Sequence, residues 1–328
     1  MWIAAAIRAS KASEVPMTTT PRFGFFVPQS RIDPGALREI AQTAERSGFH
    51  SLWVYDHLQD YPSPAQPEVL EAFTLMSLLA GWTARIRIGA MVLCDAYRNP
   101  ALTAKMSATL DRLTGGRLEF GYGAGWHAAE YASYGYPFDA AATRIARMEE
   151  GLTVIKALWQ GGPASFAGTY YRIAEAICQP TPMQQPHPPI TIGGGGEKLL
   201  LRAVARHADV WNYFPIPLAD YDRKRAVLHS HCAALGRDPA TLDQSLMVPL
   251  ATARWEKEVR DQLETARRRG GVWTDDQLVQ GTPDIVVPRL RDYQRRGVTC
   301  FILVVPDPTD LRHIEFVSQA IITELTEP

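Results

Sequence analysis

The sequence lacks most of the features that assign a function at sight. Its four cysteines, Cys94, Cys178, Cys232 and Cys300, lie far apart with neither a CxxC pair nor a metal-ligand spacing. That argues against a disulfide framework and leaves them as buried or reactive thiols of a reducing, cytoplasmic compartment. Charge of one sign is lacking too: 34 basic residues stand against 35 acidic ones, a formal net charge of −1. No global field therefore recommends nucleic acid or an anionic membrane as a partner, and a small-molecule substrate is expected. Long apolar runs are absent. The opening Met1 to Ile7 is apolar but has no basic segment before it and is too short to span a bilayer. Residues 1–20 are read as a disordered extension, with Met17 as an alternative start. What is present is ordinary globular composition, 46% hydrophobic and 21% charged over 328 residues, enough for one large domain over 21–328.

From Pro21 onward, short apolar runs alternate with stretches of helical periodicity, the pattern of repeated βα units around a parallel sheet. Eight strands are predicted: Phe23 to Val27, Ser51 to Tyr55, Ile86 to Leu93, Leu118 to Tyr122, Pro189 to Ile192, Val210 to Phe214, Leu246 to Ala251, and Phe301 to Val305. Between them Leu37, Ile40, Ala41 and Ala44 follow i, i+3, i+4, i+7, and Ile145, Met148, Leu152 and Ile155 keep close to helical spacing. Helix stops fall at Ser47-Gly48, Thr114-Gly115-Gly116 and Arg296-Gly297. Eight strands make a (β/α)8 TIM barrel. A doubly wound open sheet would alternate in the same way, but no GxGxxG follows the first strand. One interval, about 161–189, breaks the rhythm with Gly161-Gly162-Pro163, an alternating Ser165 to Arg172 and a proline-rich Pro180 to Pro189. It is expected to add a hairpin and an extended segment, either over the barrel mouth as a lid or substrate wall or as a solvated decoration.

The chemistry of this fold is sought where strands end and loops into the next helices begin. Strand two ends in Asp56 and His57. Strand three ends near Met91 and Val92, followed by Tyr97-Arg98-Asn99-Pro100. Strand four ends in Gly121-Tyr122-Gly123-Ala124-Gly125-Trp126-His127, with Glu130 a turn later. Strand five ends in Gly193, Gly194, Gly195 and Gly196, expected to open directly into a helix at Glu197-Lys198. Bare amides at a helix N-terminus can hold a phosphate. A tight turn packing helix on strand explains the glycines equally well; Glu197 argues against an anion, Lys198 and Arg202 for one. Asp56 and His57 are neighbours on an extended strand and point oppositely, and no other spaced histidine completes a metal set.

The stretches Ser51 to His57, Tyr97 to Ala101, Gly115 to Gly121, Gly123 to Trp126 and Pro188 to Gly194 resemble the bacterial luciferase-like superfamily, in particular its F420-dependent oxidoreductase branch. The likeness is close from Pro21 to Phe214 and looser beyond. It implies a flavin-like tricycle at the mouth, supported by a non-prolyl cis peptide at Met91–Val92. It also implies a phosphate-bearing tail over the loops after strands four and five, which assigns Gly123, Gly125, Gly193 to Gly196 and Lys198 to cofactor binding. Asn99, which also suits the start of a helix, and Asp56, which suits either a loop anchor or the cofactor, join that set. The resemblance puts His57 beside the ring, where an imidazole bonds ring or substrate and moves a proton. Trp126 departs from the sugar-phosphate dehydrogenase branch, which carries an acidic glutamate there. An indole either walls an apolar substrate or packs under the insertion. Glu130 is an alternative proton source, although a mid-helix glutamate is most often solvated.

What the resemblance leaves to the cofactor is the reaction. F420 implies hydride transfer to or from a small organic substrate; FMN implies a monooxygenase consuming O2 with reduced flavin from a separate reductase. An F420 reductase is the corresponding partner in the first case. A cofactor-binding protein without turnover is a third reading, and a homodimer is usual among the lookalikes.

Overall fold

Short, doubly buried strands cannot stop at an open edge when each pairs with its predecessor and the last returns to the first. The computed structural model describes residues 20–27, 29–30, 32–59, 68–268 and 273–326; the expected extension over 1–19 lies outside them. Its barrel strands are β1 (Arg22–Phe26), β2 (Ser51–Val54), β3 (Arg87–Ala90), β4 (Leu118–Gly123), β5 (Ile190–Gly193), β6 (Val210–Tyr213), β7 (Asp243–Thr252) and β8 (Val298–Val304). All pair in parallel, in chain order, and β8 closes on β1. The strand order never reverses, so the sheet has no switch point of the open doubly wound kind. This is the expected (β/α)8 barrel. β2 and β4 are buried along their whole length, as a parallel sheet covered on both faces requires.

The helices bury the faces their periodicity marks. In α1 (Pro34–Arg46) Leu37, Ile40, Ala41 and Ala44 are buried, and in α5 (Ala141–Trp159) so are Met148, Leu152 and Ile155. Inside the barrel the Trp53 indole fills the axis. A Cβ on Gly24 would lie 2.7 Å from its Nε1 and one on Gly89 2.8 Å from its Cζ3, so those two glycines make room for the ring. Below it the barrel is polar: Arg87 pairs with buried Glu119, and Arg22 reaches Asp243 at 2.7 Å. Among the described residues no helix is long and apolar enough to cross a membrane.

Two expectations need correction. Strand three is not continuous to Leu93: it stops at Ala90, the Met91–Val92 peptide is cis, and pairing with β4 resumes over Leu93–Cys94. The insertion forms its hairpin, Ala164–Ala167 against Arg172–Ala176, but not as a cover over the mouth. Glu150 on α5 accepts the amides of Thr169, Tyr170 and Tyr171 at 2.8 to 3.2 Å, holding the hairpin against that helix. Only its tip reaches the upper loops, where the Tyr171 hydroxyl donates to Asp95 at 2.9 Å. The proline-rich segment then descends beside α3 (Pro100–Leu113): the Met183 and Gln184 amides donate to Asp111, and the Gln184 side chain to the carbonyl of Leu118, where β4 begins. Prolines cannot donate to a ladder, so this stretch is tied by side chains instead.

Candidate active site

The loops after β2, β3 and β4 converge on one carboxylate. Glu130 lies in the short helix α4 (Ala128–Ser133) and is fully buried, not solvated. Its Oε1 accepts the backbone amides of Leu58 and of Gln59, the latter at 2.9 Å. Its Oε2 accepts the Tyr97 hydroxyl at 2.5 Å and meets His57 Nδ1 at 3.0 Å. Burial alone would raise this carboxyl; the hydrogen bonds from His57 and Tyr97, with the Gln59 amide, overcome it and bring it down to about 2. An ionised carboxylate only accepts, so His57 Nδ1 must carry a proton in this contact, which fixes the ring's orientation. Burial and the adjacent Glu130 push the Tyr97 hydroxyl far up, so it stays a donor.

Aromatic rings line the mouth beside this group. His57 stands edge-on to Trp126 at 5.7 Å, Tyr55 lies 5.5 Å from His57 on the other side, and Phe26 follows at 6.0 Å from Tyr55. Trp126 is 55% exposed, which favours a wall open to the mouth over packing under the insertion. The three residues expected to be catalytic, His57, Trp126 and Glu130, are therefore brought together. The metal reading of the sequence changes: spacing showed no ligand set, yet His57, His127 and Glu130 each bring one donor atom within 4.8 Å of the others.

Asp56 turns away from His57, as strand alternation dictates. Both its oxygens take Arg98 guanidinium nitrogens at 2.8 Å and one also accepts the Cys94 amide at 2.8 Å. It anchors the loop after β3; this is the loop-anchor alternative, with the carboxylate committed away from a cofactor. Asn99 caps α3, accepting from the Ala101 amide at 2.9 Å, and is exposed. Gly123 and Gly125 also have packing reasons. A Cβ on Gly123 would lie 2.5 Å from Val92 Cγ2, and one on Gly125 1.9 Å from the Tyr131 hydroxyl. The bulge of β3 thus presses into a glycine stripe on β4, where a Cβ on Gly121 would strike the Ala90 carbonyl oxygen at 1.9 Å. Met91 leans the other way, onto the barrel cluster of Trp53, Cys300 and Ile302. Cys94 is a packing residue: burial pushes its thiol up to about 12, which makes it unreactive.

The glycine run after β5 is built differently. The helix does not start at Glu197; α6 is Leu200–His207, and Glu197 to Leu199 form a turn before it. Gly194 has φ 122, and a Cβ on Gly195 would lie 2.5 Å from the Tyr213 ring, so a side chain at either would fill the cradle. Trp211 Nε1 donates to the Gly194 carbonyl at 2.8 Å and Lys224 Nζ to that of Gly195 at 2.7 Å. Those bonds turn the carbonyls outward. Among the described residues no group accepts from the amides of Gly195, Gly196 and Glu197. Glu197 itself is paired with Arg223 and Lys224 on α7 (Leu218–Ala234), which removes it as an objection to an anion. Lys198 and Arg202 are exposed on the same turn and helix.

Residues 14–279 match the family of luciferase-like monooxygenases. The chain belongs to that family. A phthiodiolone/phenolphthiodiolone dimycocerosates ketoreductase of Mycobacterium bovis is 32% identical over 270 residues, covering 74% of this chain and 69% of that protein. An FMNH(2)-dependent dimethylsulfone monooxygenase of Pseudomonas putida is 34% identical over 178 residues, covering 54% of this chain and 47% of that protein. Among solved structures, an F420-dependent secondary alcohol dehydrogenase in complex with an F420-acetone adduct superposes with a TM-score of 0.82 at 18% identity, covering 94% of this chain and all of that one; it shows the fold. The luciferase-like chain is thus an oxidoreductase-type enzyme whose relatives include reductases and monooxygenases.

Sequence reasoning placed Tyr97, Arg98, Tyr131 and His127 at the strand ends but gave none of them a partner. Their partners are 33, 42, 37 and 3 residues away. Only His127, three positions before Glu130, carried a local signal.

Proposed function

We propose that this protein is an F420-dependent oxidoreductase that moves a hydride between the deazaflavin and the carbonyl or carbinol carbon of a small organic substrate. The observation that carries it is His57, oriented through Nδ1 by an ionised Glu130 and standing beside the open Trp126 wall. The ketoreductase relative, matched over more of both chains than the sulfone monooxygenase, supports a carbonyl substrate. The cradle fits a phosphate: Gly195, Gly196 and Glu197 offer amides that have no acceptor among the described residues, two of its positions have no room for a Cβ, and Lys198 and Arg202 add positive charge. The Met91–Val92 bulge is the support for one face of the ring.

Reduced F420, when bound, supplies the hydride. This chain's residues do the rest. His57, protonated, gives its Nε2 proton to the substrate oxygen as the carbon is reduced, and takes one back in the reverse direction. Glu130 fixes the ring's tautomer, and Tyr97 and the Leu58 and Gln59 amides fix Glu130. Trp126 screens an apolar substrate from water. A separate F420 reductase would regenerate the cofactor, in the cytoplasm.

The test is binding of F420 and FMN side by side, followed by turnover of each reduced form with and without oxygen. F420 binding with oxygen-independent oxidation of the reduced form by ketones is expected. Tight FMN binding with oxygen consumption would overturn this reading in favour of a monooxygenase fed by a flavin reductase, which the sulfone monooxygenase relative supports.

A further inference from the structure

Two imidazoles from different loops face the same carboxylate oxygen. His57 Nδ1 lies 3.0 Å and His127 Nδ1 3.8 Å from Glu130 Oε2, and the three ligand atoms fall within 4.8 Å of one another. Zinc bound at about 2.0 to 2.2 Å by nitrogen and oxygen, in a tetrahedron, holds its ligand atoms roughly 3.3 Å apart. The two contacts to Glu130, 3.0 and 3.8 Å, lie on either side of that spacing. Two histidines and one carboxylate are a common donor set for zinc with an open position. The carboxylate is also built as a ligand should be. It is buried, it is held in place by the Leu58 and Gln59 amides on Oε1, and the Tyr97 hydroxyl steadies Oε2, the outer hydrogen bonds that orient a metal-binding side chain. Both imidazole rings are partly exposed while Glu130 is buried.

We propose that His57, His127 and Glu130 form a Zn2+ site, and that its occupation switches the enzyme off. Zinc would take the Nδ1 lone pair of His57 and so displace the proton that now bonds Glu130. The ion and the Nδ1 hydrogen bond that orients His57 on Glu130 therefore exclude each other, and the imidazolium that would donate in the reaction cannot form while the ion is bound. The indole of Trp126 lies 5.1 Å from the His127 ring, and that tryptophan reports on the site.

Binding is testable apart from the oxidoreductase reading, on the tag-free full chain without cofactor. Zn2+ titrated by calorimetry is expected to bind one ion per chain. Co2+ in its place should give the visible bands of a four- or five-coordinate nitrogen-oxygen site, without the charge-transfer bands that thiolates of the four cysteines would add. His127→Gln should weaken both ions roughly 100-fold while its thermal unfolding without metal stays that of the parent. Tryptophan fluorescence should change with Zn2+ in the parent, and not in His127→Gln or in Trp126→Phe. Absence of stoichiometric binding, or binding that survives both His127→Gln and His57→Gln, would overturn the site. If it binds but the parent turns over equally well with zinc saturated, the site stands and the switch falls. If no oxidoreductase activity is found at all, the proposed function fails and the calorimetry still decides the site.

Discussion

The two halves of the barrel mouth solve positioning in opposite ways. After β2, β3 and β4 the loops are dense with buried charge: Glu130 takes four donors, Asp56 a bidentate Arg98, and Asp95 the hydroxyls of Tyr122 at 2.7 Å and Tyr171 at 2.9 Å. At the end of β5 there is almost no side chain, only a run of glycines in which the carbonyls of Gly194 and Gly195 are tied back and, among the described residues, the amides of Gly195 and Gly196 have no acceptor. A proton-transferring group must hold one tautomer and one direction, which needs fixed partners. A phosphate is held by several weak donors at once, which needs bare backbone. The comparison teaches that damage to the first half should read out in rate and stability, and damage to the second in cofactor affinity.

The largest break is expected at His57. His57→Ala should lower kcat by about 10²- to 10⁴-fold with cofactor affinity little changed, measured by turnover and by cofactor titration. Retention of full activity would remove proton transfer from the β2 half. Next is Asp56→Ala, which leaves a buried guanidinium without its main partner and should cost about 3 to 5 kcal/mol in denaturant unfolding. A cost under about 1 kcal/mol would mean that Glu71, which also meets Arg98, carries the anchor.

Asp95 sharpens the same half through pH. Burial raises its carboxyl to about 6 against the hydrogen bonds of Tyr122 and Tyr171. An unfolded aspartate titrates near 3.9. Between about pH 4 and 6 the folded chain therefore holds a proton that the unfolded chain has released, and stability falls as pH rises through that window. The full loss is at most about 3 kcal/mol. Asp95→Asn should flatten the slope by about one proton when unfolding midpoints are compared from pH 4 to 7; an unchanged slope would show that Asp95 is already ionised there. The smallest effect belongs to the bare half. Gly195→Ala pushes a methyl into Tyr213 and should weaken cofactor binding about tenfold, roughly 1.4 kcal/mol, with kcat at saturation near that of the parent. A fall in kcat alone would break the comparison.

Much of the architecture was legible in the sequence because its signals are local. The buried faces of α1 and α5 followed the 3.6-residue period, and each of the eight barrel strands lay within or beside an apolar run. The cis peptide at Met91–Val92 is where the resemblance put it, though nothing in the residues Ala90 to Leu93 alone spells such a bond. Its packing reason sits on another strand, in Gly121 and Gly123. The insertion was visible as an interruption, but its path down α3 was not, since that depends on Asp111 and Leu118 receiving Gln184. The start of α6 was placed three residues early because Glu197-Lys198 reads as a helix opening until the turn before it is seen.

By itself the sequence determined the alternation of strands and helices, the residues at the strand ends, and the membership of a luciferase-like family. Periodicity and motifs are properties of neighbours along a chain. Only the tertiary structure decided that Glu130 is buried and ionised, that Tyr97 and His57 share one of its oxygens, that Asp56 belongs to Arg98, and that His127 completes a trio. Apart from His127, which sits three positions before Glu130, those outcomes depend on which groups meet after desolvation across long separations, and burial makes each such meeting obligatory.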